Sequence, residues 1–171
     1  MKKPTLLVLF FCVFSLHAQD TYLNKVTTLD STIETLYGVI SGEKGEARNW
    51  ELFMYLFKPE ARLIPSGKNK EGVVDVRYMS PDDYIKSSGA WLVENGFFEN
   101  EIHRSVQSFG NITQVFSTYE SFRSEKDSEP FMRGINSIQL LFDNQRWWVV
   151  NIYWMQESEE NPLPQQYLPK Q

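Results

Sequence analysis

The chain carries two histidines and one cysteine, and that scarcity decides which chemistries are open to it. His17 and Cys12 lie in the first apolar stretch, which leaves His103 as the sole imidazole of the body. Zinc catalysis needs three or four imidazole, thiolate or carboxylate ligands, commonly from an HExxH helix. Neither that motif nor a paired-histidine spacing is present, so no metal and no cofactor is expected. A serine nucleophile needs a base beside it, and no GxSxG elbow accompanies His103. His103 falls in an alternating strand, where a partly exposed position on a mixed face accounts for it. The glycines of GEKGEA (42–47) suggest a phosphate cradle, but the Lys-Ser/Thr ending is missing and a helix precedes them. That segment reads as a connector. Asp75, Arg77, Asp82 and Asp83 form a charged group, of which alternation sends the first two to a polar strand face. The other two are explained by the acidic first turn of a helix.

The elements that must position any site are organised around INSIQLLFDNQRWWVVNIYW, Ile135 to Trp154. Two apolar runs flank Asp143-Asn144-Gln145-Arg146, the pattern of a hairpin with a tight turn. Both faces of that hairpin are apolar, so both require cover. Upstream, Val26, Leu29, Ile33, Leu36, Tyr37 and Ile40 recur at helical spacing between Asp20 and Ser41, with Asp30 or Ser31 as cap. Trp50, Phe53, Met54 and Phe57 make the stripe of a second helix, which Pro59 ends. Short strands follow at 61–65 and 73–79. A third helix starts at Ser80-Pro81-Asp82-Asp83 and closes at Asn95-Gly96, burying Tyr84, Ile85, Ser88, Trp91 and Leu92. Phe98 to Phe109 then pairs with Ile112 to Phe122 around Gly110-Asn111. In a regular hairpin this puts Arg104 with Ile102, Val106, Val115 and Tyr119, and Glu101 and His103 on the opposite face.

The order α-α-β-β-α-β-β-β-β implies an α+β fold, one curved antiparallel sheet wrapped around three helices. Lys2 and Lys3, the apolar run Leu6 to Leu16, and Ala18 have the layout of a secretory leader over residues 1–18. Export to the periplasm or beyond is therefore expected, with no membrane span once the leader is gone. Phe11 precedes Cys12 where lipidation requires a small residue. Cleavage removes Cys12, so the body holds together without disulfides. The formal charge of −5 becomes more negative when Lys2 and Lys3 leave, which argues against nucleic acid and anionic membranes as partners. The domain is expected over residues 20–156. Residues 157–171 are an extended proline-containing tail, with Tyr167 and Leu168 as anchors.

The element order, LFKPEARLIPSG (56–67), SFGNITQVFSTYESF (108–122) and GINSIQLLFDNQRWWVVNIYW (134–154) together carry a resemblance. Over roughly Leu29 to Gln156 the chain resembles the nuclear transport factor 2-like superfamily, particularly its SnoaL-like and ketosteroid-isomerase-like members and exported bacterial proteins of unassigned activity. The resemblance implies a cone-shaped pocket between helices and sheet, and a homodimer formed through the sheet's outer face. Ketosteroid isomerisation needs a carboxylate base with a tyrosine and a neutral acid at the oxyanion. Tyr37 matches that tyrosine. The base position falls on Ile64 and the second acid on Ile138, neither of which can carry a proton. The expected product of those replacements is a greasy pocket for a small apolar or aromatic ligand. Trp50, Ile64, Trp91, Ile138 and Trp154 would line it, with Tyr37, Arg104, Tyr119 and Asn136 as polar fixtures. An enzyme using Tyr37, His103 or Arg104 to polarise a carbonyl is the alternative, and a protein-interaction module the third. A two-residue turn at Asn144-Gln145 would place Ile138 and Trp154 on opposite faces, whereas the resemblance requires one face. An odd-length loop or a bulge would reconcile them.

Overall fold

In the computed structural model the described residues are 21–170. The leader expected over residues 1–18 lies outside them. Helix α1 (Leu29–Ile40) buries Ile33, Leu36, Tyr37 and Val39. Its cap is Thr28 rather than Asp30 or Ser31. The Thr28 backbone is extended, its hydroxyl accepts the Ser31 N–H at 3.0 Å, and the Ser31 hydroxyl takes the Thr28 N–H in return. Asp30 instead sits in the first turn, where its charge favours the helix dipole. The residues before Thr28 form only a 3-10 turn, Leu23–Lys25, and Val26 plugs the core.

Helix α2 (Trp50–Leu56) is capped by Asn49 and stops three residues short of Pro59. Strand β1 (Phe57–Lys68) begins at once and passes through the proline. Pro59 is tolerated because it lies in the register break between Phe57 and Arg62, where the ladder to the neighbouring strand is interrupted. Strand β2 is only Val74–Val76, because Val74 and Tyr78 stay exposed and build no buried face. Helix α3 (Pro81–Asn95) has the expected start: the Ser80 hydroxyl accepts from Asp83, and the Asp83 carboxylate accepts from the Ser80 N–H. Gly96, at φ +71°, ends it. Arg48, between α1 and α2, is buried and donates to the carbonyls of Ile40, Gly42, Glu46 and Leu92, tying three elements together.

Strands β3 (Phe98–Phe109), β4 (Ile112–Phe122), β5 (Met132–Phe142) and β6 (Trp147–Gln156) complete one six-stranded sheet in the order β2-β1-β6-β5-β4-β3. The sheet is mixed rather than wholly antiparallel: β1 and β6 run parallel, since most of the chain lies between them and no hairpin joins them. Among the described residues the three helices contact this sheet and enclose the core. Ile33 and Leu36 of α1, Phe53 and Leu56 of α2, and Val115, Ile138, Leu140 and Val149 of the sheet form its centre.

Two bulges set which side chains face the helices. On β6, Leu140 pairs with Val149 but Gln139 with Asn151, so Val150 is extra. That puts Ile138, Ile152, Asn136 and Trp154 on one face, resolving the conflict left by the turn. On β3, Glu101 pairs with Tyr119 and His103 with Thr118, so Ile102 is extra. Alternation breaks there, and Glu99 and Glu101 join Arg104 and Val106 on the helix side. The regular hairpin reading put Glu101 on the other face, and the bulge corrects it.

Candidate functional site

Between helices and sheet lies a cavity of about 410 Å³. Leu36, Phe53, Leu63, Leu92, Phe97 and Ile152 supply much of its apolar wall. In that wall sits one carboxylate, Glu99. The Asn136 amide donates to one Glu99 oxygen at 3.2 Å, and the Ser121 hydroxyl donates to the other at 3.3 Å. Burial outweighs those two bonds and pushes the Glu99 carboxyl up to about 7. A carboxyl titrating near neutrality can both take and return a proton. Three phenols face it. Burial, then the charge of Glu99, raises Tyr37, Tyr84 and Tyr119 above the usual tyrosine value, so all three stay protonated. Tyr84 is held by stacking on Phe53, ring centroids 5.4 Å apart. Among the described residues the Tyr84 and Tyr119 hydroxyls have no hydrogen-bond partner, and both residues line the cavity.

Tyr37 is differently occupied. Its hydroxyl lies 2.7 Å from Ser117 Oγ and accepts from Asn136 Nδ2 at 3.1 Å. Ser117 in turn donates to Glu101, which Arg104 grips through Nε at 2.8 Å and through Nη2. Arg104 Nη1 reaches Asp30 at 2.7 Å. The Ser117 proton is committed to Glu101, so Tyr37 must donate to Ser117. Its proton therefore points away from the cavity.

Of the side chains expected at the pocket, Tyr37, Trp91, Tyr119, Asn136 and Trp154 line the cavity. Four do not. Ile64 pairs with Tyr153 on the outer face, and its neighbour Leu63 faces the cavity instead, one step of strand alternation away. Ile138 shares the inner face but is packed solid in the core. Trp50 packs edge-on against Phe53 at 5.7 Å, with its ring over Gly89 behind the cavity wall. Arg104 is drawn to Glu101 and Asp30 and lines a surface groove, with Glu34 and Gly38, that meets the cavity at Tyr37 and Glu99. His103 follows Thr118 to the outer side of the sheet. Sequence reasoning missed Glu99, Tyr84 and Ser121. The available signal was two acids at i and i+2 in FENEIHR, a spacing that puts both on one face of a strand.

Arg123 lies over the rings of Trp91 and Phe131, at 4.5 and 3.9 Å, at the edge of the cavity. Among the described residues no group of three or more His, Cys, Asp or Glu side chains is placed to hold a metal ion. No helix there is long and apolar enough to cross a membrane. The tail lies on the outer face of the sheet: the Tyr167 carbonyl accepts from Thr118 at 2.7 Å and its ring meets Phe116 at 4.9 Å.

No protein-family model matches the chain, and no curated protein matches its sequence. Solved structures do match. A protein of unknown function with a cystatin-like fold from Nostoc punctiforme shares 10% identity at a TM-score of 0.57, over 77% of this chain and 90% of that one. An NTF-2-like protein of unknown function from Silicibacter pomeroyi shares 18% at 0.52, over 75% and 92%. A proposed ketosteroid isomerase from Parabacteroides distasonis shares 9% at 0.51, over 76% and 88%. At these identities the likeness is one of architecture: the chain has the nuclear transport factor 2-like, cystatin-like α+β fold.

Proposed function

We propose that the cavity takes a small, mostly apolar or aromatic molecule bearing a carbonyl, and that Glu99 exchanges a proton with it. The observation that carries this reading is a carboxyl poised at about 7 in the wall of an apolar cavity. The reaction class it suits is proton abstraction beside a carbonyl. The C–H bond breaks, its proton goes to the Glu99 carboxylate, and the electron pair moves on to the carbonyl oxygen. The Tyr84 and Tyr119 hydroxyls are the donors available to that oxygen. Protonated Glu99 then returns the proton to carbon. The base comes from β3, not from the position resembling the isomerase base, where an isoleucine stands.

The test is deuterium uptake from heavy water by a panel of cyclic ketones, enones and lactones. Uptake is expected with the native protein and should fall at least about 100-fold in Glu99→Gln. A ligand that raises the melting temperature of both proteins without exchange leaves a binding protein that does not alter its ligand. That second reading is favoured by the mostly apolar wall of the cavity, in which Leu63 stands beside the position that resembles the isomerase base. A panel that neither exchanges nor shifts melting removes the cavity from the account. The proposal includes export, for which residues 1–18 are the support, and pairing of two copies across the outer face, where Tyr153 and Met155 remain exposed.

A further inference from the structure

The chain of hydrogen bonds behind Glu99 has only one direction, and its direction is set at the surface. Glu101, ion-paired with Arg104, accepts from Ser117. Ser117, its single proton used, must accept from Tyr37. The Tyr37 oxygen then takes one amide proton of Asn136, and the other amide proton is given to Glu99. Each link fixes the next, over four side chains drawn from β3, β4, α1 and β5.

We infer that the Arg104–Glu101 pair is a positioning device: it holds the Asn136 amide with its N–H groups, rather than its oxygen, towards Glu99. Arg104 does not line the apolar cavity; it stands in the surface groove that Glu99, Glu101 and Tyr37 also reach, and its hydrogen bonds to the chain behind Glu99 run through Glu101. Without the anionic acceptor the chain can run backwards. The residue at 101 then donates to Ser117, Ser117 to Tyr37, and Tyr37 to the Asn136 carbonyl. A reversed amide would set an oxygen against the Glu99 carboxylate and favour its protonated form. This role for Glu101 rests on the reading of Glu99 as a proton-exchanging group.

The sign of the effect separates this device from plain electrostatics. Removing a negative charge near an acid makes that acid easier to ionise, whereas reversing the amide makes it harder. The titratable groups facing Glu99 are Tyr37 from α1, Tyr84 from α3, Tyr119 from β4 and Glu101 from its own strand, with Asp30 and Arg104 beyond. The three phenols remain protonated across the neutral range and do not confuse the reading.

The experiment is a carboxyl-carbon NMR titration of the ligand-free protein, with the Glu99 resonance assigned by its loss in Glu99→Gln. In Glu101→Gln the Glu99 midpoint is expected to rise by about one unit, the scale of one hydrogen bond to a charged group. In a Tyr37→Phe background, where the chain is already cut, Glu101→Gln should add no further upward shift. Ser117→Ala, which severs the chain and keeps the ion pair, should reproduce the rise even if Glu101→Gln fails to fold. A midpoint that falls or stays in place in Glu101→Gln or Ser117→Ala overturns the inference. So does an equal rise in the Tyr37→Phe background. Because no ligand is present, absence of turnover in the deuterium assay leaves this result standing, and the converse holds as well.

Discussion

At the scale of single residues, Glu99 is the group on which the proposed proton exchange and the expected pH response of stability both rest. Its carboxyl sits at about 7 when folded against an ordinary value of 4.5, so the folded state binds its proton more tightly than the unfolded state does. The stabilisation from that proton is complete below the unfolded value and is lost as pH rises from about 4.5 to about 7. Glu99→Gln removes the buried charge while keeping shape and most hydrogen bonds. The variant should match the native protein in urea unfolding at pH 4 and exceed it at pH 8, by about 3 kcal/mol on the linkage scale. Equal stability at both pH values would mean the carboxyl is not desolvated. Trp154→Ala removes a large side chain from the lining of the same cavity, and ligand-induced melting shifts should shrink in it. Unchanged shifts would place the ligand elsewhere.

At the scale of elements, close approach between strands shapes the cavity as much as the helices do. Gly134 on β5 has the Tyr119 hydroxyl 2.6 Å and the Met155 carbonyl 2.5 Å from where a Cβ would stand. Gly134→Ala must therefore push Tyr119 or β6 aside, with an expected loss of about 1–3 kcal/mol in denaturant unfolding. Tyr119 would leave its cavity position with it, so ligand affinity should fall together with stability. Arg48 is the corresponding fastener among the helices, with four backbone carbonyls on one guanidinium. Arg48→Met removes the guanidinium from all four carbonyls, of which the Gly42 oxygen still has the Phe97 N–H, and should destabilise by about 3 kcal/mol or more. An effect within experimental error would show that water replaces the guanidinium freely.

At the scale of the whole molecule, the outer face of the sheet is where the tail matters. Tyr167 packs on Phe116 and covers Thr118, which is fully buried. Truncation after Glu160 uncovers those positions beside the already exposed Tyr153 and Met155. The shortened chain is expected to self-associate more strongly than the full chain in sedimentation velocity at matched concentration, since a larger apolar patch is then open. If both sediment alike, the tail neither guards nor completes an interface. The cavity lies on the other side of the sheet, so ligand-induced melting shifts should survive the truncation.

The architecture was largely legible in the residues themselves. The Ser80-Pro81 start, the Gly110-Asn111 turn and the periodic apolar stripes identify helices and hairpins because capping, turn conformation and amphipathic period are local properties. Pro59 misled because a strand can absorb a proline wherever its ladder is broken, and that break is visible only with the partner strand in place. The candidate site was only half legible. Tyr37, Trp91, Tyr119, Asn136 and Trp154 fall at the cavity, where the family resemblance put them and where plain alternation through a two-residue turn would not have placed Trp154. Glu99 was not expected there, because one extra residue at Ile102 inverts the facing of everything before it. A bulge is a compromise between two strands and leaves no mark in either alone. The amino-acid order determined which segments coil, extend and turn. Three-dimensional packing alone decided that an unremarked glutamate would sit in an apolar wall, because desolvation is imposed by neighbours distant in the chain.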